Sequence, residues 1–206
     1  WSRMLRESFW GLGGGPVLYS AMSAIDTALW DIKGKALNVP VYQLLGGKTN
    51  DNLRTYASQL QFDWSQDCIK MLSPDDYKRA AAKAIAQGYD AVKVDPIVYD
   101  ENGDSSYDRT KLFTPSQMKL FGDRLRAIRD EVGDKVDIIF EAHSLMGCAS
   151  AIQMGKIVEE VGCMMIEEPV NYLNSAVHKK VSDKVNVPIA GGERLYHRWD
   201  VRPYFE

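Results

Sequence analysis

Three short apolar runs, each closed by an acid, constrain this chain more than any other feature: Ile138-Ile139-Phe140-Glu141, Met164-Met165-Ile166-Glu167 and Pro188-Ile189-Ala190-Gly191-Gly192-Glu193. The acids recur at an equal interval of 26 residues, from 141 to 167 and from 167 to 193. Between them, residues 148–160 and 175–184 read as amphipathic helices. A strand, a helix and two tight loops fill such an interval, because a crossover between parallel strands takes about a dozen residues or more. The pattern is one βα unit repeated, with an acid at the carboxyl end of each strand. In a closed parallel barrel those ends meet at one mouth, where active sites sit. Three carboxylates facing one mouth repel each other, and a hard divalent cation with oxygen ligands is the expected occupant.

The rest of the chain extends the pattern. Residues 1–9 read as the end of a helix, and Gly11 to Gly15 as a flexible loop. As a phosphate loop this glycine run lacks the following Lys-Ser/Thr and a preceding strand. Residues 19–37 carry Met22, Ile25, Ala28, Leu29, Ile32 and Ala36 at helical spacing. Asn38-Val39-Pro40 ends that helix, and 41–45 form a short helical turn. Alternation over 53–61 predicts a first strand, and 62–72 a polar loop. Ser73-Pro74 starts a helix with a capping hydroxyl and proline at its first position. A second strand covers 89–94 and ends in Lys93-Val94-Asp95-Pro96. The polar stretch 97–113 is either a lid or pocket wall or a solvent-exposed insertion. Thr114-Pro115 opens a helix that ends at Gly133, and residues 200–206 begin another. From residue 53 the order is βα five times, the fifth helix only begun, which implies a parallel sheet flanked by helices. An open doubly wound sheet also fits; acids at three successive strand ends favour closure.

Composition excludes several classes. A net charge of −3 with no basic block argues against a nucleic-acid surface. No apolar run approaches about 18 residues, so no membrane span is expected, and no signal peptide is visible. Cys68, Cys148 and Cys163 are scattered, which predicts free thiols in a reducing compartment, the cytoplasm. A first residue that is not Met and a last one where a helix begins predict a fragment of a longer protein.

Ile166-Glu167-Glu168-Pro169, Gly191-Gly192-Glu193-Arg194, Glu141-Ala142-His143 and Lys93-Val94-Asp95, preceded by Ala21 to Lys35 and Leu44-Leu45-Gly46-Gly47, resemble the enolase superfamily. The branch they resemble is that of mandelate racemase and the sugar-acid dehydratases, and the resemblance spans nearly the whole chain. It implies a TIM-type (β/α)7β barrel, here its first five βα units (53–206), preceded by the helical part of an α+β capping domain (1–52). It also implies bound Mg²⁺ with Glu141, Glu167 and Glu193 as ligands. Glu141 stands where the family often has Asp.

The same resemblance assigns roles. His143, two residues past Glu141 and on its side in an extended stretch, corresponds to the general acid for a leaving hydroxyl; a supporting role is the alternative. Lys93 lies where the family often shows Lys-x-Lys, but the second lysine is Asp95. Lys93 is therefore a charge near the substrate carboxylate or a salt bridge in Asp95's neighbourhood. Asp95 is a candidate base or a strand-closing acid. Glu168 alternates to the other face as a supporting or wall residue. Arg194 orients a carboxylate such as Glu168, contacts substrate, or forms a structural ion pair. His197 is a candidate pocket residue, and His178, in mid-helix, is expected to be exposed. The function implied is Mg²⁺-dependent sugar-acid dehydration by a protein that is homo-oligomeric at full length. The alternatives are a racemase, epimerase or cycloisomerase of the superfamily, or an inactive, truncated relative. A metal-dependent hydrolase barrel would need His-x-His on the first strand, where Thr55-Tyr56-Ala57 stands.

Overall fold

The computed structural model describes every residue of the chain except Trp10 and Cys68, so the reading of Cys68 as a free thiol lies outside the described residues. Two compact units emerge. Trp1–Arg54 with Glu193–Arg202 form one, and Thr55–Gly192 with Pro203–Glu206 the other. The first is helical: α1 (Ser2–Glu7), α2 (Pro16–Leu37) and α3 (Val41–Leu44). Asn38 closes α2 in the left-handed conformation, its N–H turned back to the Gly34 and Lys35 carbonyls.

The second unit alternates helix and strand: α4 (Pro74–Ala86), β1 (Ala91–Val94), α5 (Pro115–Val132), β2 (Asp137–Glu141), α6 (Cys148–Val161), β3 (Met165–Glu167), α7 (Ser175–Ser182) and β4 (Ile189–Ala190). A last helix, α8, covers Arg198–Phe205. The strands form one parallel sheet in the order β1-β2-β3-β4. Alternation within each strand sorts the side chains. Val92, Val94, Ile138, Phe140 and Ile166 are fully or almost fully buried in a core with Ala80, Ala84, Phe121, Leu125, Ile128, Ala151, Met154 and Val158 of the surrounding helices. Their alternate neighbours, among them Lys93, Glu141 and Glu167, take the opposite face. None of the described helices is long and apolar enough to cross a membrane.

The expected first strand is reduced to one bridge. Ala57 pairs with Val92 in parallel, donating to the Ala91 carbonyl at 2.9 Å and accepting from the Lys93 N–H at 2.7 Å. Gln59 then turns left-handed (φ 64°) into a 3₁₀ turn at Leu60–Phe62, which stops the ladder. The segment occupies a strand's place beside β1 without a strand's length.

Helix α4 shows how strongly local chemistry sets these boundaries. Ser73 Oγ accepts from the Asp76 N–H while the Asp76 carboxylate accepts from the Ser73 and Leu72 N–H groups, a reciprocal capping box. Burial pushes the Asp76 carboxyl up, but these bonds outweigh it and hold it at about 2. Its stabilising contribution is therefore present above the ordinary carboxylate range near 3.8 and is lost as pH falls toward 2. Asp76→Ala is expected to cost about 1 kcal/mol at pH 7. The difference from the parent in urea melts should shrink at pH 2.

The stretch 97–113 has no helix or strand, yet it is pinned in place. The Tyr107 hydroxyl and the Arg109 guanidinium donate to the Ile97 carbonyl at 2.6 and 3.0 Å, and Arg109 also reaches Val98 and Ser105. Asp100 Oδ1 accepts from the Asn102 and Asp104 N–H groups, both at 2.8 Å. Gly147, just before α6, donates to the Arg109 carbonyl, and a Cβ there would fall against the Thr110 carbonyl.

Candidate active site and metal centre

The site grows from the ends of β1, β2 and β3. Glu141 and Glu167 are register partners on adjacent strands, so the equal spacing in sequence becomes lateral proximity. The third acid departs from this pattern. Glu167 pairs with Ala190, and Glu193 lies three residues further along, beyond the strand and past Gly191-Gly192. Glu141 and Glu167 thus set two carboxylates side by side at the strand ends, an all-oxygen donor pair of the kind a hard divalent cation takes.

Lys93 sits beside two of these acids. Its Nζ lies 3.0 Å from Glu141 Oε2 and 3.1 Å from Glu167 Oε2, and 5.3 Å from the centre of the Tyr56 ring. The alternative of a bridge toward Asp95 gives way to this one because Lys93 and Glu141 share a face of neighbouring strands. Burial favours the neutral amine, but the hydrogen bonds and charges of Glu141 and Glu167 outweigh it, and Lys93 is held well above the ordinary lysine range. It is a committed ammonium.

His143 and Asp95 form a pair. His143 Nδ1 lies 2.9 Å from Asp95 Oδ2, and Nε2 lies 3.6 Å from Glu141 Oε1. Asp95 is buried, its Oδ1 accepts from the Ile97 N–H and its own N–H donates to Gln61 Oε1. The route by which His143 comes near Glu141 differs from the extended stretch expected. Residues 143 and 144 are both left-handed, at φ 50° and 63°. Such backbone is costly for residues with a Cβ. It is held by the Ser144 N–H donating to the Glu168 carbonyl at 2.7 Å and by the Ser144 hydroxyl donating to Glu168 Oε2 at 2.8 Å. Glu168 is itself left-handed (φ 45°) and fully buried. A turn in the backbone after Glu167, rather than simple strand alternation, directs it to the His143-Ser144 corner.

Arg194 Nη2 is 3.2 Å from Glu193 Oε1. The His197 ring stacks on Tyr19 and Trp199, and Nδ1 accepts from the Trp199 N–H. His178, expected to be exposed, is buried. It packs edge-on against Tyr204, and desolvation lowers its pKa against a hydrogen bond with the backbone of Val170. The helical face that carries it is the one turned to the sheet, which a lone polar residue in an apolar pattern does not reveal. Sequence reasoning also passed over Ser144, Gln61 and Tyr56. Tyr56 could have been found, since the alternation over 53–61 sets it apart from Ala57.

Parallel βα units with two adjacent acids, a buried lysine and a His–Asp pair near the strand ends define a partial α/β barrel. The chain belongs to the enolase superfamily, in its mandelate racemase/muconate lactonizing enzyme family. Residues 76–206 match the enolase C-terminal domain-like model, and residues 1–46 match the mandelate racemase/muconate lactonizing enzyme N-terminal domain. A member of the enolase superfamily from Salmonella Typhimurium superposes with a TM-score of 0.95 at 49% identity, over 99% of this chain and 53% of that one. A D-gluconate/D-galactonate dehydratase of Picrophilus torridus is 36% identical over 90% of this chain and 43% of its own length. A D-galactonate dehydratase of Ralstonia pickettii is 34% identical over all of this chain and 48% of its own length. The chain thus spans about half the length of the curated relatives it matches.

Proposed function

We propose that the intact protein is a Mg²⁺-dependent sugar-acid dehydratase, a hydro-lyase, in which residues 1–52 belong to a capping domain and 53–206 to the barrel. The observation that carries this reading is the His143–Asp95 pair beside the acidic cluster, in a chain whose relatives are named gluconate and galactonate dehydratases. Glu141, Glu167 and Glu193 would hold the cation. The chemistry such a cation would supply there is stabilisation of the negative charge that builds on the substrate carboxylate when the neighbouring proton leaves. Asp95 accepts from His143 Nδ1 and favours the imidazolium, leaving Nε2–H to protonate the departing β-hydroxyl. A general base takes the α-proton, and the electron pair of that C–H bond becomes the new C=C bond. The C–O bond breaks as the hydroxyl takes the His143 proton and leaves as water, and the enol product ketonises to a 2-keto-3-deoxy acid.

Lys93 and Asp95 are each engaged by neighbours, and neither is assigned the α-proton. Lys93 instead presents positive charge toward the substrate carboxylate. Arg194 and His197 are assigned to substrate contact, and Glu168 to holding the His143-Ser144 corner. The protein acts on a free small molecule in the cytoplasm and works as a homo-oligomer. Incubating the intact protein with Mg²⁺ and a panel of aldonic acids is expected to yield 2-keto-3-deoxy product, with turnover lost on chelation and restored by Mg²⁺. Epimerised substrate without keto product would replace this reading with racemisation.

A further inference from the structure

Glu141 and Glu167 stand side by side in register with their side chains only 6% and 15% exposed. Two carboxylates so placed repel each other strongly, since water screens them little. The only ammonium that the described structure places on both is Lys93, itself 9% exposed and bonded to one oxygen, Oε2, of each acid. The Tyr56 ring next to Nζ favours the charge in that position. Oε1 of Glu167 is thereby left off the lysine, while Oε1 of Glu141 faces His143 Nε2 at 3.6 Å.

We propose that Lys93 is a built-in counter-ion of the metal-ligand pair. It holds Glu141 and Glu167 together when no metal is bound, and it tempers the site's charge so that a divalent ion is bound without excess affinity. The inference rests on the reading of Glu141, Glu167 and Glu193 as cation ligands. It assigns Lys93 a role toward the protein itself, before any substrate arrives.

The test compares the intact protein with Lys93→Met by thermal melts in EDTA and in Mg²⁺, and by calorimetric titration of Mg²⁺. In EDTA the variant is expected to melt several degrees lower, as removing one partner of a buried ion pair predicts. Excess Mg²⁺ should recover most of that loss. Mg²⁺ should bind the variant at least about tenfold more tightly, because a positive charge near the site is gone. Adding Glu167→Gln to Lys93→Met removes the repulsion and should raise the EDTA melting temperature above that of the single variant. This also covers the case in which Lys93→Met alone does not fold: a folded double variant then supports the proposal and an unfolded one overturns it. An unchanged melting temperature in EDTA, or unchanged or weaker Mg²⁺ binding by the variant, overturns it as well. A parent protein that binds no Mg²⁺ would instead remove the metal reading, while the EDTA melts would still decide whether Lys93 holds the two acids.

Discussion

His143→Asn is expected to lower kcat for dehydration about 100- to 10,000-fold, the range that a positioned proton donor supplies, with little change in KM or melting temperature. The imidazole is well placed for the role but carries little of the packing, since its side chain is 30% exposed. Asparagine can still bond Asp95 but cannot deliver a proton to a leaving hydroxyl. The assignment can be probed further with a sugar acid whose β-hydroxyl is replaced by fluorine. Fluoride leaves without protonation, so the variant should regain most of its rate on that substrate. Equal loss on both substrates would show that His143 serves some other step. Asp95→Asn should reproduce the defect in weaker form, because the ring keeps a hydrogen-bonding neighbour but loses the charge that favours the imidazolium.

Arg124→Met should produce the largest loss of stability, about 3–5 kcal/mol. Arg124 lies on α5, is fully buried, and donates to the carbonyls of Leu72, Pro96 and Tyr99. Its guanidinium also lies 5.2 Å from the Tyr77 ring centre and 5.6 Å from that of Phe121. Methionine fills much of the volume but leaves the buried Pro96 carbonyl and the partly buried carbonyls of Leu72 and Tyr99 without this donor. Two of those carbonyls, at Pro96 and Tyr99, flank the start of the 97–113 stretch. The variant should therefore be cut by proteases within 97–113 sooner than the parent, as well as unfolding at lower urea. Arg124→Lys should recover only part of the loss, because an ammonium cannot span three carbonyls in different directions. Parent-like urea midpoints for both variants would mean that the charge is solvated by some route other than these carbonyls.

The sequence made the repeating architecture legible because two periodicities coincide in it. Apolar runs of strand length recur, and helices of 3.6-residue spacing separate them. Ser73-Pro74 and Thr114-Pro115 marked helix starts that the structure places at the same residues. Alternation over 53–61 misled, because a period of two describes a pleated segment whether or not it finds a full ladder, and the left-handed turn at Gln59 has no strong signal in a glutamine. In the site, the spacing of Glu141 and Glu167 could be read directly, since adjacent parallel strands turn sequence interval into register. The His143–Asp95 pair could not. It depends on left-handed backbone at His143 and Ser144 and on contact between residues 48 positions apart. The burial of Arg124 was equally hidden, since an arginine on an amphipathic helix ordinarily marks the solvent side.

The register of β2 against β3 has a consequence for how the chain finds its fold. A slip of one residue in either strand would exchange its two faces. Phe140 would then enter the acidic mouth, and Glu141 would be driven among Phe121, Leu125 and Met154 with no cation to meet it. Misaligned pairings are therefore penalised far more heavily here than in a sheet with apolar residues on both sides. Glu141 and Glu167 thus also proofread the assembly of the sheet, and neutralising them should leave more trapped species on refolding even where the finished fold tolerates the change.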